Sequence, residues 1–139
     1  MIALAVAAVL AGQAASGPVL PGVLDLPLLD GAELAPDCLG VRDRLAESGE
    51  VFTCVGAPVS RINDLTFAYV AEARTRGWAD AGGAANALWM TRTLPDGTCQ
   101  KLTLAGMWDF RRSPEPRPND PGFVLVSLDA DARCPRPAQ

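Results

Sequence analysis

The chain has 139 residues and a formal charge of −4, from twelve basic and sixteen acidic side chains. That length accommodates one domain. An acidic balance with a single lysine, Lys101, leaves no basic stripe for phosphate contacts, which excludes the usual nucleic-acid-binding patterns.

Residues 1–15, MIALAVAAVLAGQAA, join an apolar run from Ile2 to Leu10 to the small residues a signal peptidase needs, and predict a signal peptide. No lysine or arginine precedes that run. It is too short to span a bilayer as a mature helix, so no stable transmembrane segment is expected after cleavage. Four cysteines follow, Cys38, Cys54, Cys99 and Cys134, with no CxxC pair. That spacing suits two structural disulfides in an oxidising compartment, and predicts a periplasmic or secreted protein. Three pairings are open from spacing alone.

Residues 16–36 form an apolar segment rich in proline and glycine. Pro18, Pro21 and Pro27 exclude a helix interior, while the leucines and valines between them predict a segment ordered against the domain. The domain itself is placed at 37–134, with a tail at 135–139. Asp37 is positioned to cap a short helix from Cys38 to Ser48, ended by Gly49, and Val51–Val55 reads as a short extended run. The clearest helix spans Arg61–Arg76 after Ser60. Ile62, Leu65, Tyr69 and Ala73 recur at helical spacing, Phe67 and Val70 widen the apolar face, and Gly77 provides a left-handed exit. Residues 81–84, AGGA, read as a loop.

Strand character begins at Asn86 and continues on both sides of the turn in Arg92–Cys99, RTLPDGTC. Pro95 suits the first central position of a type I turn, and Gly97 the left-handed residue of a three-residue hairpin loop. This register sets Leu94 opposite Thr98, Met90 opposite Leu102 and Leu88 opposite Leu104, so that one face is apolar. Arg111–Pro121, with four prolines, reads as an exposed, mobile connection. Phe123–Leu128 returns as a third strand, with Leu104 opposite Ala130, Trp108 opposite Val126 and Phe110 opposite Val124. The predicted fold is α+β: two helices followed by a three-stranded antiparallel β-meander, disulfide-stapled. Its inner face gathers Leu88, Met90, Leu102, Leu104, Trp108, Val124, Val126 and Leu128. The order resembles small envelope-assembly and inhibitor domains over Asp37 to Asp131. That resemblance is architectural, and no residue role is carried over.

In this arrangement Cys99 and Cys134 reach the same end of the sheet, which favours the pairs 38–54 and 99–134. Loop entropy assigns the second bridge roughly 3–4 kcal/mol before strain. The strand register would point these two thiols to opposite faces, so the pairing requires a bulge near Ala105–Gly106 or irregular chain after Asp131.

The chain contains no histidine, which removes Ser-His-Asp and Cys-His nucleophiles and histidine metal ligands together. It also lacks GxSxG, phosphate-loop, dinucleotide and calcium-loop patterns, so neither cofactor nor metal is expected. Asp37, Asp43 and Glu47 read as a solvated surface, and Asp129 with Asp131 lacks further oxygen donors for calcium. The candidate site is a binding surface. On the face away from the long helix the register places Trp89, Thr91, Lys101, Thr103, Met107, Phe123 and Leu125, an anchor for a protein, peptide or glycan. If that face is open, more than half of Trp89 is accessible; if Val19–Leu29 folds over it, the face is core. Arg111 and Arg112 offer a second contact, for an acidic partner. The expected function is an exported, non-enzymatic interaction domain that binds a protein or peptide partner in the cell envelope. The alternatives are a small carboxylate-dependent hydrolase, which needs two acids in one recess, and a structural envelope protein without a specific ligand.

Overall fold

The computed structural model describes residues 17–45 and 51–133. The expected signal segment, Glu47, Cys134 and the 135–139 tail lie outside the described residues. In chain order the elements are β1 (Pro18–Leu20), β2 (Leu24–Pro27), β3 (Glu33–Leu34), a single 3-10 turn at Cys38–Gly40 and α1 (Arg42–Leu45). There follow β4 (Val51–Pro58), α2 (Val59–Arg74), β5 (Ala79–Ala84), β6 (Ala87–Thr93), β7 (Cys99–Met107) and β8 (Pro121–Ala132).

Two helices and a disulfide are present, but the three-stranded meander is not the sheet. β1 and β2 pair as a separate hairpin, and six strands form one antiparallel sheet in the order β3-β4-β8-β7-β6-β5. The architectural likeness to two-helix, three-strand domains falls with the meander. The two long additions come from segments whose side chains say little. β4 extends the run at Val51 to Pro58 and pairs with β8 along its whole length. β5, ADAGGA, has no β-branched or aromatic residue and is exposed throughout. It is a strand because its backbone completes the free edge of β6, with a register shift between Asp80 and Gly82.

α2 joins β4 to β5 across three intervening strands. Four strand spacings are about 19 Å, and sixteen helical residues cover about 24 Å, so one helix suffices for the crossing. Pro58 caps α2 without a side-chain hydrogen bond. The first amides instead donate to the proline-rich connection: Val59 N to Asp120 O at 2.8 Å and Ser60 N to Pro118 O at 3.0 Å. The segment expected to be a mobile connector thus satisfies a helix end.

α2 meets the sheet most closely at Ile62. A β-carbon at Gly106 would stand 2.7 Å from Ile62 Cγ2, and one at Gly122 would stand 2.8 Å from Ile62 Cγ1. Two strand glycines therefore create the groove that receives this side chain. Along the same face Leu65, Tyr69, Val70 and Ala73 pack on Val55, Met90, Leu102, Leu104, Val124, Val126 and Leu128. The β1–β2 hairpin adds Val19, Leu24 and Leu26 to this core. Tyr69 fastens the two together, because its hydroxyl oxygen accepts from Leu29 N at 3.3 Å. Burial pushes the Tyr69 phenol above its ordinary pKa, an effect the Leu29 amide partly offsets.

The opposite face carries a smaller core of Cys38, Val41, Phe52, Cys54 and Phe123. Cys38 and Cys54 are disulfide-bonded with Cα atoms 5.0 Å apart, as favoured from sequence. In place of the regular helix expected from Cys38, residues Cys38, Leu39 and Gly40 take φ of 54°, 56° and 87°. Left-handed backbone costs an L-residue roughly 1–2 kcal/mol. The disulfide at Cys38 and the bond from Leu39 N to Asp37 Oδ1 hold the turn in place.

β6 and β7 pair in the expected register, and Leu94 N donates to Thr98 O across the PDG loop with Gly97 at φ 85°. The β7–β8 register differs by four residues: Leu104 faces Val126, not Ala130. β7 ends at Met107, so Trp108 and Phe110 do not pair with β8 and do not join the inner face. A shift by an even number leaves every other side chain on its expected face, which is why alternation could not detect it. Cys99 is disulfide-bonded, and its expected partner Cys134 lies outside the described residues. The β7–β8 register shifts between Cys99 and Lys101 and runs without a shift through Ala105–Gly106, where a bulge is one of the two expectations.

Two predictions follow from this packing. Gly106→Ala will lower stability by about 2 kcal/mol through overpacking. Combined with Ile62→Ala, it will cost at least about 1 kcal/mol less than the two separate losses added together. Urea unfolding of the two single variants and the double variant measures that coupling.

The second concerns the PDG turn. Asp96 Oδ1 accepts from the Thr98 hydroxyl at 2.6 Å and from the Thr98 amide at 2.9 Å. The hydroxyl bond first, then the amide bond, holds the Asp96 carboxyl below its ordinary 3.8. The ionised form is favoured in the folded state, so its stabilisation is complete above the ordinary value. It disappears as pH falls through the depressed one. NMR titration of Asp96 will show the lowered midpoint, Thr98→Val will move it back up, and the stability difference between the two proteins will shrink in acid.

Candidate functional site

Trp89, Thr91, Lys101 and Thr103 share the outer face, paired as Trp89 with Thr103 and Thr91 with Lys101. The β1–β2 hairpin packs with α2 on the inner face, so residues 19–29 do not cover this patch. Trp89 is nevertheless partly buried and falls short of the expected half-exposure. The Lys101 ammonium lies 5.2 Å from its ring centroid, and the ring rests on β5 at Gly82, where a β-carbon would approach Trp89 Cε3 to 3.5 Å. The tryptophan is thus stacked between its own neighbours. Phe123 shares the outer face but does not belong to an open site: it is buried beneath Val41 and the Cys38–Cys54 disulfide. Trp78 is buried at the junction of helix and sheet, with the Arg92 guanidinium 4.5 Å from its ring centroid.

Arg111 and Arg112 belong to a different place, the turn through which the chain leaves β7. This turn is built around Asp109. Its Oδ1 accepts from Arg111 N at 3.2 Å, and its carbonyl accepts from Arg112 N at 3.1 Å and Ser113 N at 3.0 Å. The Trp108 indole Nε1 closes the turn by donating to Ser113 O at 3.1 Å. Arg44 of α1 reaches Asp109 Oδ1 at 3.5 Å and ties the turn to the outer-face layer. Trp108, expected on the inner face, and Phe110, expected opposite Val124, are held at the surface with 39% and 64% of their area accessible.

A third aromatic side chain stands beside Trp108. Phe67 on α2 is 55% exposed, and with Trp108 it lines a groove of about 280 Å³ floored by Ile62, Leu88 and Gly106. Asn63 and Asn86 supply amides at its margin. Phe67 lies off the Ile62–Leu65–Tyr69 stripe and on the same helical row as Asn63 and Ala71, which is the signal in the sequence that it faces outward. For Trp108 and Phe110 the signal is the intervening Asp109, a turn former followed by two arginines and Ser-Pro.

Arg111 and Arg112 are exposed. Phe110 and Arg111 border a neighbouring recess of about 200 Å³ with Val41, Leu45 and Phe123, so that Trp108 stands between this recess and the Phe67 groove. Among the described residues no three metal-ligating His, Cys, Asp or Glu side chains come together, and no helix is long and apolar enough to cross a membrane.

Replacing Asp109 by alanine removes the carboxylate bond to Arg111 and the contact with Arg44. It will cost about 1 kcal/mol. Amide exchange at Arg111 and Ser113 will accelerate about tenfold, while Leu102 and Val124 keep most of their protection. Comparison with known proteins adds no family: no protein-family model, curated protein or solved structure matches this chain.

Proposed function

We propose that this chain is an exported, non-enzymatic interaction domain that binds a protein or peptide partner through the Trp108–Arg112 turn and the adjoining Phe67 groove. The observation that carries this reading is the exposure of Trp108 and Phe110 on a turn held by its own hydrogen bonds, with Trp108 shared between the Phe67 groove and the recess beside Phe110 and Arg111. Exposed aromatic side chains with neighbouring arginines are the composition of interface centres, and a preformed turn loses little entropy on binding. The partner's chemistry follows from the lining. An apolar side chain fits the groove beside Trp108, and carboxylates meet Arg111 and Arg112. Export is supported by the predicted signal segment and by disulfide-bonded Cys38, Cys54 and Cys99, which suit a periplasmic or extracellular setting.

Selection of a random peptide library on the immobilised protein tests this. The enriched sequences will pair an aromatic or aliphatic residue with Asp or Glu. Fluorescence polarisation with one such peptide will show a loss of about tenfold or more for Phe110→Ala and for Trp108→Ala. Charge reversal by Arg111→Glu with Arg112→Glu will abolish binding, and Trp89→Ala will leave it unchanged. Peptides that bind the Phe110→Ala protein as well as the parent would refute the assignment, and loss on Trp89→Ala alone would move the site to the outer face.

A further inference from the structure

At the end of the sheet opposite the Trp108 turn, the β1–β2 hairpin and the Arg76 and Arg92 side chains border an open cavity of about 470 Å³. Its hairpin wall is largely apolar, formed by Pro18, Val23, Leu24 and Pro27, and two guanidiniums, Arg76 and Arg92, close one side. Both are anchored from behind. Arg92 donates through Nε and Nη2 to Gln100 Oε1 at 3.3 and 2.9 Å, and through Nη1 to Arg76 O at 3.4 Å, with Trp78 beneath it. Arg76 donates through Nε and Nη2 to Glu72 Oε1 at 3.3 and 2.9 Å.

The Nη1 groups of both arginines turn toward one carboxylate, Asp25 of β2, but at 3.6 and 3.8 Å. Those separations exceed a charge-assisted hydrogen bond, which lies near 2.7–2.9 Å. Asp25 thus pairs with both guanidiniums through long contacts, a hydrogen bond to Arg76 among them, and its side chain is 57% exposed. Two preorganised guanidiniums held to a half-exposed carboxylate by long contacts, at the rim of an apolar cavity of ligand size, form a carboxylate-binding arrangement.

We propose that this cavity binds a small monocarboxylic acid with a hydrocarbon body. Its carboxylate bridges the Nη1 groups of Arg76 and Arg92, its chain lies along Val23, Leu24 and Pro27, and Asp25 swings outward into water. The exchange conserves charge: one carboxylate replaces another against the same two cations. Asp25 is then a competitor for the site, present whenever the ligand is absent. The apolar wall is what selects an aliphatic acid over a bare phosphate ion, which the same guanidiniums would otherwise accept.

Titration of the intact protein with hexanoate, hexanamide and inorganic phosphate tests the proposal, followed by NMR at the Arg76 and Arg92 Nε–H signals and the Gly22 and Val23 amides. Hexanoate will saturate these shifts, and hexanamide and phosphate will not. Asp25→Asn will tighten hexanoate binding by about three- to tenfold by removing the competing charge. Arg76→Gln will weaken it by about tenfold or more. Equal binding of hexanamide, phosphate binding as tight as hexanoate, an unchanged affinity in the Asp25→Asn protein, or no saturable hexanoate shift would each overturn it. Asp25 is largely exposed, so its substitution reports on the site without depending on a destabilised fold.

Discussion

The seating of Ile62 between Gly106 and Gly122 is the contact on which the arrangement depends. It allows the first turns of α2 to approach β7 and β8 without strain, and the rest of the helix then lies along the inner face. Any side chain at either glycine would lift that end and open the apolar strip beneath Leu65, Tyr69 and Val70. The amides at the start of α2, bonded to Pro118 and Asp120, would lose their acceptors in the same movement. Packing and hydrogen bonding at this point are therefore one constraint.

That constraint also partitions the surface. α2 occupies the inner face diagonally, and the β1–β2 hairpin fills what remains beside its C-terminal half, held through Leu26 and the Tyr69 hydroxyl. Among the described residues the outer face is covered over β4 and β8, where the Cys38–Cys54 bridge pins a left-handed turn and α1. Two recessed regions lie at the ends of the sheet, and the ends differ in kind. One presents convex aromatic side chains on a turn closed by Asp109. The other is concave, with paired guanidiniums facing one carboxylate at 3.6 and 3.8 Å. The first suits a macromolecular surface, and the second a small anion with an apolar body.

Neither site could be assembled from the sequence, although Trp108–Arg112 is one contiguous stretch. Arg111 and Arg112 were visible as an exposed basic pair, but their aromatic neighbours were not. Alternation along Leu102–Phe110 continues smoothly past Met107, so Trp108 and Phe110 look like two more inward residues. Only the turn at Asp109 ends the strand. Phe67 is just over two turns from Val59 on a helix whose apolar face is broad enough to include it. Asp25, Arg76 and Arg92 come from three separate elements, and nothing local relates them.

The amino-acid sequence alone determined the existence of α2, the PDG hairpin with its β6–β7 register and the parity of β8. Each rests on interactions among nearby residues: helical spacing, turn chemistry and side-chain alternation. Tertiary structure decided how far β8 slides along β7, that β4 lies on the other side of β8, and that ADAGGA is a strand. Those outcomes depend on backbone hydrogen bonds between distant segments. Backbone groups are nearly alike in every residue and leave no mark on side-chain pattern.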